Sequence, residues 1–193
     1  LNLEGRQTIV VSGAGMVGIS AMQILKIVNP NLRVIAIEPN KFRRDIAKKY
    51  VDIVTDPFEA ELVIRKATGG AMADQIIECS GNAEVPGILH KYLKDGGWGT
   101  DDAPGHIHWQ GDYPEKIIMD SYHRWFTKNC TISMSCALAP GCKEQILTWI
   151  SEGKFDTNGL PVEIWPVSKC AEAFEYKMAK GEDVFKIIFD WSK

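Results

Sequence analysis

Thr8-Ile-Val-Val-Ser-Gly-Ala-Gly-Met-Val-Gly18 is the stretch on which the fold turns. Its first five residues, mostly β-branched, make a short buried strand. The apolar residues that follow, Val17, Ala21, Ile24, Leu25 and Val28, recur at the spacing of one helix face. Between strand and helix lies Gly13-Ala-Gly15-Met-Val-Gly18, and only in that setting does a Gly-x-Gly-x-x-Gly match carry meaning. Gly13 permits the tight turn, Gly15 lets the backbone approach a pyrophosphate, and Gly18 lets the helix pack close on the strand. Val17 is expected to turn into the core. The N–H groups opening the helix, at Met16 and Val17, would hold phosphate at its positive end.

Working outward, Asn29-Pro30-Asn31 stops that helix, and residues 32–37 alternate too little for a half-exposed strand, so they read as a strand buried on both faces. It ends at Glu38, 25 residues after Gly13, where a carboxylate can accept both ribose hydroxyls of an adenosine. A 2′-phosphate would meet like charge there, which favours NAD over NADP. Arg43 pulls the other way, because it could pair with that phosphate or lie on the adenine ring. A methyltransferase also uses a glycine-rich turn and an acid after the second strand. The x-x spacing before Gly18 favours the dinucleotide.

The pattern continues with a helix over 41–50, a strand over 52–54, a helix over 59–68, a strand over 74–79 and a helix over 83–94. Such alternation predicts right-handed crossovers and a doubly wound parallel sheet, the α/β Rossmann class. Residues 95–112, rich in glycine, read as loop around a strand at 106–110. A last sheet strand is expected over 131–136. A helix over 143–152 should turn Ile146, Leu147 and Ile150 inward. Beyond it come a proline-interrupted strand over 160–165, a helix capped by Ser168 that carries Ala171, Phe174 and Met178, and a strand over 184–190.

Composition bounds the partners. The 193 residues suit one main domain with an appendage, and 45% hydrophobic with 24% charged residues is ordinary for a globular chain. A net charge of −3 without basic runs leaves no electrostatic footprint for nucleic acid or an anionic membrane. No stretch is apolar enough for a membrane span, the first residues lack the order of a signal peptide, and a cytoplasmic setting is expected. Five cysteines without a Cys-x-x-Cys pair suggest reduced, mostly buried thiols. The start at Leu1, running almost at once into a strand, reads as cut from something longer.

With these residues in place, the chain resembles the medium-chain dehydrogenase/reductase superfamily, the zinc alcohol dehydrogenases and their relatives. The likeness rests on residues 8–18, Ile37-Glu-Pro-Asn40, Ala73-Asp-Gln-Ile-Ile-Glu-Cys-Ser-Gly-Asn82 and Cys170-Ala-Glu-Ala-Phe174, in family order, and it covers most of the chain except 98–104. The resemblance implies that Cys79, Ser80 and Gly81 lie beside the coenzyme ribose. It further implies that Gln110, Ser135 and Ala137 line the nicotinamide and that Lys186 reaches the pyrophosphate. It implies NAD-linked oxidation of an alcohol or polyol, with zinc and the proton path in a catalytic domain absent from this chain. Residues 1–139 would then be the NAD-binding domain, and 140–193 a segment that completes the missing one and exposes apolar surface meant for it. Relatives pair through a sheet-edge strand, which here would be Thr131 to Cys136, so a homodimer is expected. A stand-alone NAD(H)-binding or redox-sensing module is the alternative.

His106 and His108 share one face of a strand near Asp101, Asp102 and Asp112, a set that could ligate metal or shape the nicotinamide pocket, although strand packing explains it as well. Cys130, Cys136 and Cys142 have no ligand spacing and read as core thiols. Trp98, Trp109 and Trp125 could wall a cleft mouth. No metal site and no catalytic residue is assigned.

Overall fold

The computed structural model describes residues 3, 5, 7–97, 103–136 and 139–192. Six strands, β1 (Thr8–Ser12), β2 (Arg33–Ile37), β3 (Ile53–Thr55), β4 (Gln75–Glu78), β5 (His106–Trp109) and β6 (Thr131–Met134), form one sheet in the order β3-β2-β1-β4-β5-β6. Every pairing in it is parallel. The expected doubly wound Rossmann sheet is therefore the observed one. Strand order reverses between β1 and β4, and the carboxyl ends there diverge into a crevice.

The pleat sorts the strand side chains onto two layers. Ile9, Val11, Val34, Ala36 and Ile77 pack with Ile19, Met22 and Leu25 of α1 (Met16–Val28) and Ile46 of α2 (Lys41–Ala47). Val10, Ile35, Ile37, Ile76 and Ile107 pack on the other side with Ala60 and Ile64 of α3 (Ala60–Ala67), Leu89 and Leu93, and Trp125 of α4 (Tyr122–Lys128). A parallel strand covered on both faces must be apolar at every position, which is why β1 and β2 show no alternation.

Helix α1 is turned from the face the spacing suggested. Gly18, Ile19, Met22 and Leu25 are buried, whereas Val17 and Val28 are 49% and 53% exposed. The cause is Gly18: a Cβ there would stand 1.9 Å from the Gly13 carbonyl oxygen, so this residue meets the turn and rotates Val17 outward. The helix expected over 83–94 contracts to a 3-10 turn at Pro86–Lys91, since Pro86 lacks an N–H and Gly87 lies tight against the Ile118 carbonyl. Helix α4 had no counterpart in the expectations.

After the sheet come α5 (Cys142–Ser151), β7 (Val162–Pro166), α6 (Cys170–Lys180) and β8 (Lys186–Asp190), with β7 and β8 paired in parallel. Helix α5 buries no residue, and Leu147 and Ile150 point outward, contrary to the expected inward stripe. Ser168 lies in a 3-10 turn at Val167–Lys169, while α6 starts at Cys170, and Lys169 at its cap position makes no side-chain capping bond. Phe174 and Met178 are exposed. Leu160 and Phe185 nevertheless join the core around α1. A latch reinforces them: the Gln23 amide trades hydrogen bonds with the Asp156 backbone (2.7 and 3.1 Å), and the Tyr50 hydroxyl donates to the Asp156 carboxylate (2.9 Å).

The thiols are free, but Cys136, Cys142 and Cys170 are exposed rather than buried, because Cys136 follows the edge strand β6 and the other two open the outward-facing helices α5 and α6. Trp125 sits in the core against His90, not at a cleft mouth. Trp98, Asp101 and Asp102 lie outside the described residues.

Candidate binding cleft at the switch point of the sheet

Gly13 has φ of 91°, a left-handed value that glycine adopts without strain. Its N–H donates to the Ile37 carbonyl (2.8 Å), and a Cβ on it would come within 2.8 Å of the Ser80 backbone. The turn thus ties the ends of β1, β2 and β4 together. Gly15 differs, because its missing Cβ would meet only the Arg43 guanidinium, at 3.9 Å. Helix α1 starts there with no side-chain cap and no acidic residue in its first turn. The N–H groups of a helix start need acceptors, and the adjoining space is where an anion could supply them.

Glu38 is only 3% exposed. One carboxylate oxygen accepts from the Ala14 N–H (2.7 Å) and the other from the Asn40 N–H (2.9 Å). The acid at the end of β2 is therefore pinned to the glycine turn. Each oxygen keeps a second lone-pair direction for a further donor. Asn40 also caps α2 by accepting from the Arg43 N–H (3.1 Å), which sets Arg43 on the first turn of that helix.

Gly13, Gly15, Glu38, Arg43, Cys79 and Ser80 wall one cleft of about 390 Å³. Ile37, Val85, Ile88 and Tyr92 supply its apolar side. Beneath it Glu78 is fully buried at the end of β4 and accepts from the Ser80 N–H (2.6 Å) and the Ser80 hydroxyl. Burial pushes its carboxyl above the usual range, against the pull of the Ser80 and Ser12 hydroxyls. Burial likewise lifts the Cys79 thiol to about 12, with Glu78 adding to the effect. Cys79 is thus an uncharged wall and a poor nucleophile.

A second recess of about 480 Å³ lies over the ends of β5 and β6, between Trp109, Gly111, Tyr113, Met134 and Ser135. The Gln110 and Gly111 N–H groups both donate to the Glu78 carbonyl at 2.9 Å, which bends the chain across the strand ends. Among the described residues the buried Trp109 Nε1 meets no hydrogen-bond partner, and the Tyr113 hydroxyl lies buried beside Glu78. The nearby Glu78 raises the Tyr113 phenol further after burial has done most.

The structure thus gathers Gly13, Gly15, Glu38, Arg43, Cys79 and Ser80 in one cleft, with Met16 and Val17 exposed at the helix start and Gly18 in the packing beneath. Gly81 turns toward the second recess, its Cβ direction 3.4 Å from the Asp112 carbonyl oxygen, and Ser135 lines that recess with Gln110 beside it. Lys186 opens β8, exposed, and lines neither cavity. Ala137 lies outside the described residues. Sequence reasoning missed Asn40, Glu78 and Tyr113. An acid closing the apolar run Gln75–Glu78 was a signal for one of them, whereas Tyr113 sits in a loop without pattern. Among the described residues no group of three or more His, Cys, Asp and Glu could hold a metal ion.

A parallel sheet in 3-2-1-4-5-6 order, with a glycine turn and a carboxylate at adjoining strand ends, is a Rossmann-type fold. Residues 16–98 match the family model described as zinc-binding dehydrogenase. The L-threonine 3-dehydrogenase of Pyrococcus horikoshii is 31% identical over 129 residues, which is 65% of this chain and 34% of that protein. That of Thermococcus kodakarensis is 32% identical over 121 residues, 61% of this chain and 32% of that protein. Among solved structures, an Escherichia coli oxidoreductase/dehydrogenase of unknown specificity superposes with a TM-score of 0.81 at 19% identity, over 96% of this chain and 51% of its own. An Escherichia coli alcohol dehydrogenase complexed with NADH does so with 0.77 at 19%, over 96% and 52%. Over residues 16–98 the chain is thus similar in sequence to zinc-type alcohol-dehydrogenase-like proteins, and it shares their coenzyme-domain fold. It spans about a third of the length of the curated relatives it matches.

Proposed function

We propose that this chain is the coenzyme-binding half of an NAD-dependent alcohol or polyol dehydrogenase. The carrying observation is the cleft itself: an uncapped helix start, open space at Gly15 and a buried carboxylate meet there around about 390 Å³. The pyrophosphate would lie at Gly15, Met16 and Val17 with Arg43 alongside, and the adenosine ribose at Glu38. Cys79, Ser80 and Gly81 would border the other ribose, and Gln110, Ser135 and Ala137 the nicotinamide end. Bound there, the coenzyme supplies hydride transfer; this chain's residues hold and orient it. Lys186 is the weakest of the proposed contacts.

Glu38 supports NAD over NADP, since a 2′-phosphate would bring charge against a carboxylate already fixed by two N–H groups. Zinc would sit on residues of another domain, and residues 140–193 would meet that domain with the face carrying Ile164 and Ile188, 69% and 45% exposed. Strand β6 is a sheet edge and would serve a homodimer. A cytoplasmic setting fits this reading.

Titration with NADH and NADPH, followed by tryptophan fluorescence, tests the proposal. NADH should bind at least about tenfold tighter, equivalent to ~1.4 kcal/mol. Glu38→Ala should erase the preference. Tighter NADPH binding by the unmodified chain overturns the coenzyme assignment, and no binding of either overturns the function.

A further inference from the structure

The cleft at the switch point has one wall whose hydrogen bonds run inward. Past the end of β4, the Cys79 N–H donates to the Ser12 carbonyl (2.8 Å), the Ser80 N–H to Glu78 Oε1 (2.6 Å) and the Asn82 N–H to Ser80 Oγ (3.1 Å). All three donors are spent within the protein. The Ser80 hydroxyl donates to the same Glu78 oxygen as its N–H. A serine hydroxyl has one proton and two lone pairs. The proton goes to Glu78 and one lone pair to Asn82, which leaves Ser80 Oγ a single acceptor site and nothing to donate. Ser80 and Asn82 both line the cleft.

Glu78 enforces that sense. It is fully buried at the end of β4, paired in register with Ser12 of β1 on one side and Trp109 of β5 on the other. Because Oε1 already takes two donors, a proton on this acid belongs on Oε2. The Ser80 hydroxyl therefore points the same way whether the carboxyl is charged or neutral. Across the cleft Glu38 is likewise an acceptor, each oxygen holding one N–H and keeping a further lone-pair direction. Strand β1 lies between β2 and β4, so the uncapped start of α1, which offers donors, stands between these two acceptor walls.

From this arrangement we infer that Glu78 is a positioning residue that makes Ser80 an acceptor-only group, so that this wall selects a sugar hydroxyl and rejects a phosphate oxygen. The inference deepens the coenzyme-binding reading above and rests on it: the cleft would read hydroxyl, phosphate and hydroxyl in turn along a dinucleotide. The ribose on the nicotinamide side would give one hydroxyl proton to Ser80 Oγ. A phosphate oxygen in its place would face a lone pair with no proton to take.

The test uses the full chain with NADH and with NADH analogues in which either hydroxyl of the nicotinamide ribose is replaced by hydrogen or by fluorine. Fluorine keeps nearly the size of the hydroxyl and cannot donate. Calorimetric titration should show that losing the hydroxyl at Ser80, to either atom, weakens binding by about three- to tenfold. Ser80→Ala should erase that preference. Glu78→Gln keeps an oxygen for the Ser80 N–H and hydroxyl and should retain it. Glu78→Met keeps the bulk without the acceptor and should lose it with Ser80 still present, whereas a merely structural Glu78 would give the two variants the same ribose preference. If thermal unfolding shows that Glu78→Met does not fold, Glu78→Asp, whose carboxyl falls one methylene short of Ser80, takes its place. Fluorine analogues that bind like NADH, a preference that survives Ser80→Ala or Glu78→Met, or one lost in Glu78→Gln overturns the inference and leaves the coenzyme reading standing. Failure of NADH to bind the unmodified chain removes the two together.

Discussion

Gly15 and Gly18 are three residues apart in one turn and are glycine for different reasons. A methyl group at 18 would collide with the Gly13 carbonyl, whereas one at 15 would enter the cleft and touch nothing closer than Arg43. Gly18→Ala should therefore cost about 1–3 kcal/mol and lower Tm. Gly15→Ala should unfold like the parent yet lose most of its NADH affinity. Thermal unfolding beside a fluorescence titration separates the two, and equal effects on Tm would contradict the assignment. The packing role of Gly18 was legible in the sequence, because a turn of six residues is local. The position of Val17 was not: a helix face is chosen by what it packs against, and Gly18 made that choice. Glu38 was legible as an acid at a strand end. Its bonds to Ala14 and Asn40 required the fold.

Among the elements, β1 and β4 share an electrostatic tie. The Asp74 carboxylate accepts from the Gln7 and Thr8 N–H groups (2.9 and 3.0 Å) and pairs with Lys94. Burial pushes its pKa up, but these N–H groups and the lysine outweigh it and hold the carboxyl below its ordinary value. A depressed carboxylate stabilises the fold above the unfolded pKa of about 4 and loses that contribution as pH falls toward the lower folded value. Tm should drop on acidification below about pH 4, and Asp74→Asn should flatten that part of the profile. The latch at α1 makes a second case: Tyr50→Phe removes the bond to Asp156, which should cost about 1 kcal/mol and lower Tm by roughly 2–4 °C. The expected inward stripe of α5 failed because an apolar period shows that a face wants cover, not that this chain supplies it.

At the scale of the molecule, α6 covers one side of the small sheet, where Phe174 meets Phe189 and Tyr176 meets Trp165. The other side carries Ile164 directly opposite Ile188, both exposed. Ile164→Thr with Ile188→Thr should suppress self-association of this chain in size-exclusion chromatography while leaving Tm within a few degrees. A large fall in Tm would mean the pair already has cover within the fold.

The order of the sheet strands and of helices α1 to α3, and with it the fold class, was determined by the sequence alone, since periodicity and glycine placement act over a few residues. Tertiary structure decided the rest: which face α1 buries, that Pro86 and Gly87 shorten a helix, that Glu78 lies under the cleft, and that two histidines and two serines from strands 25 residues apart align into one hydrogen-bonded line. Those outcomes depend on parallel register and on contacts between distant segments, and no local pattern of side chains encodes either.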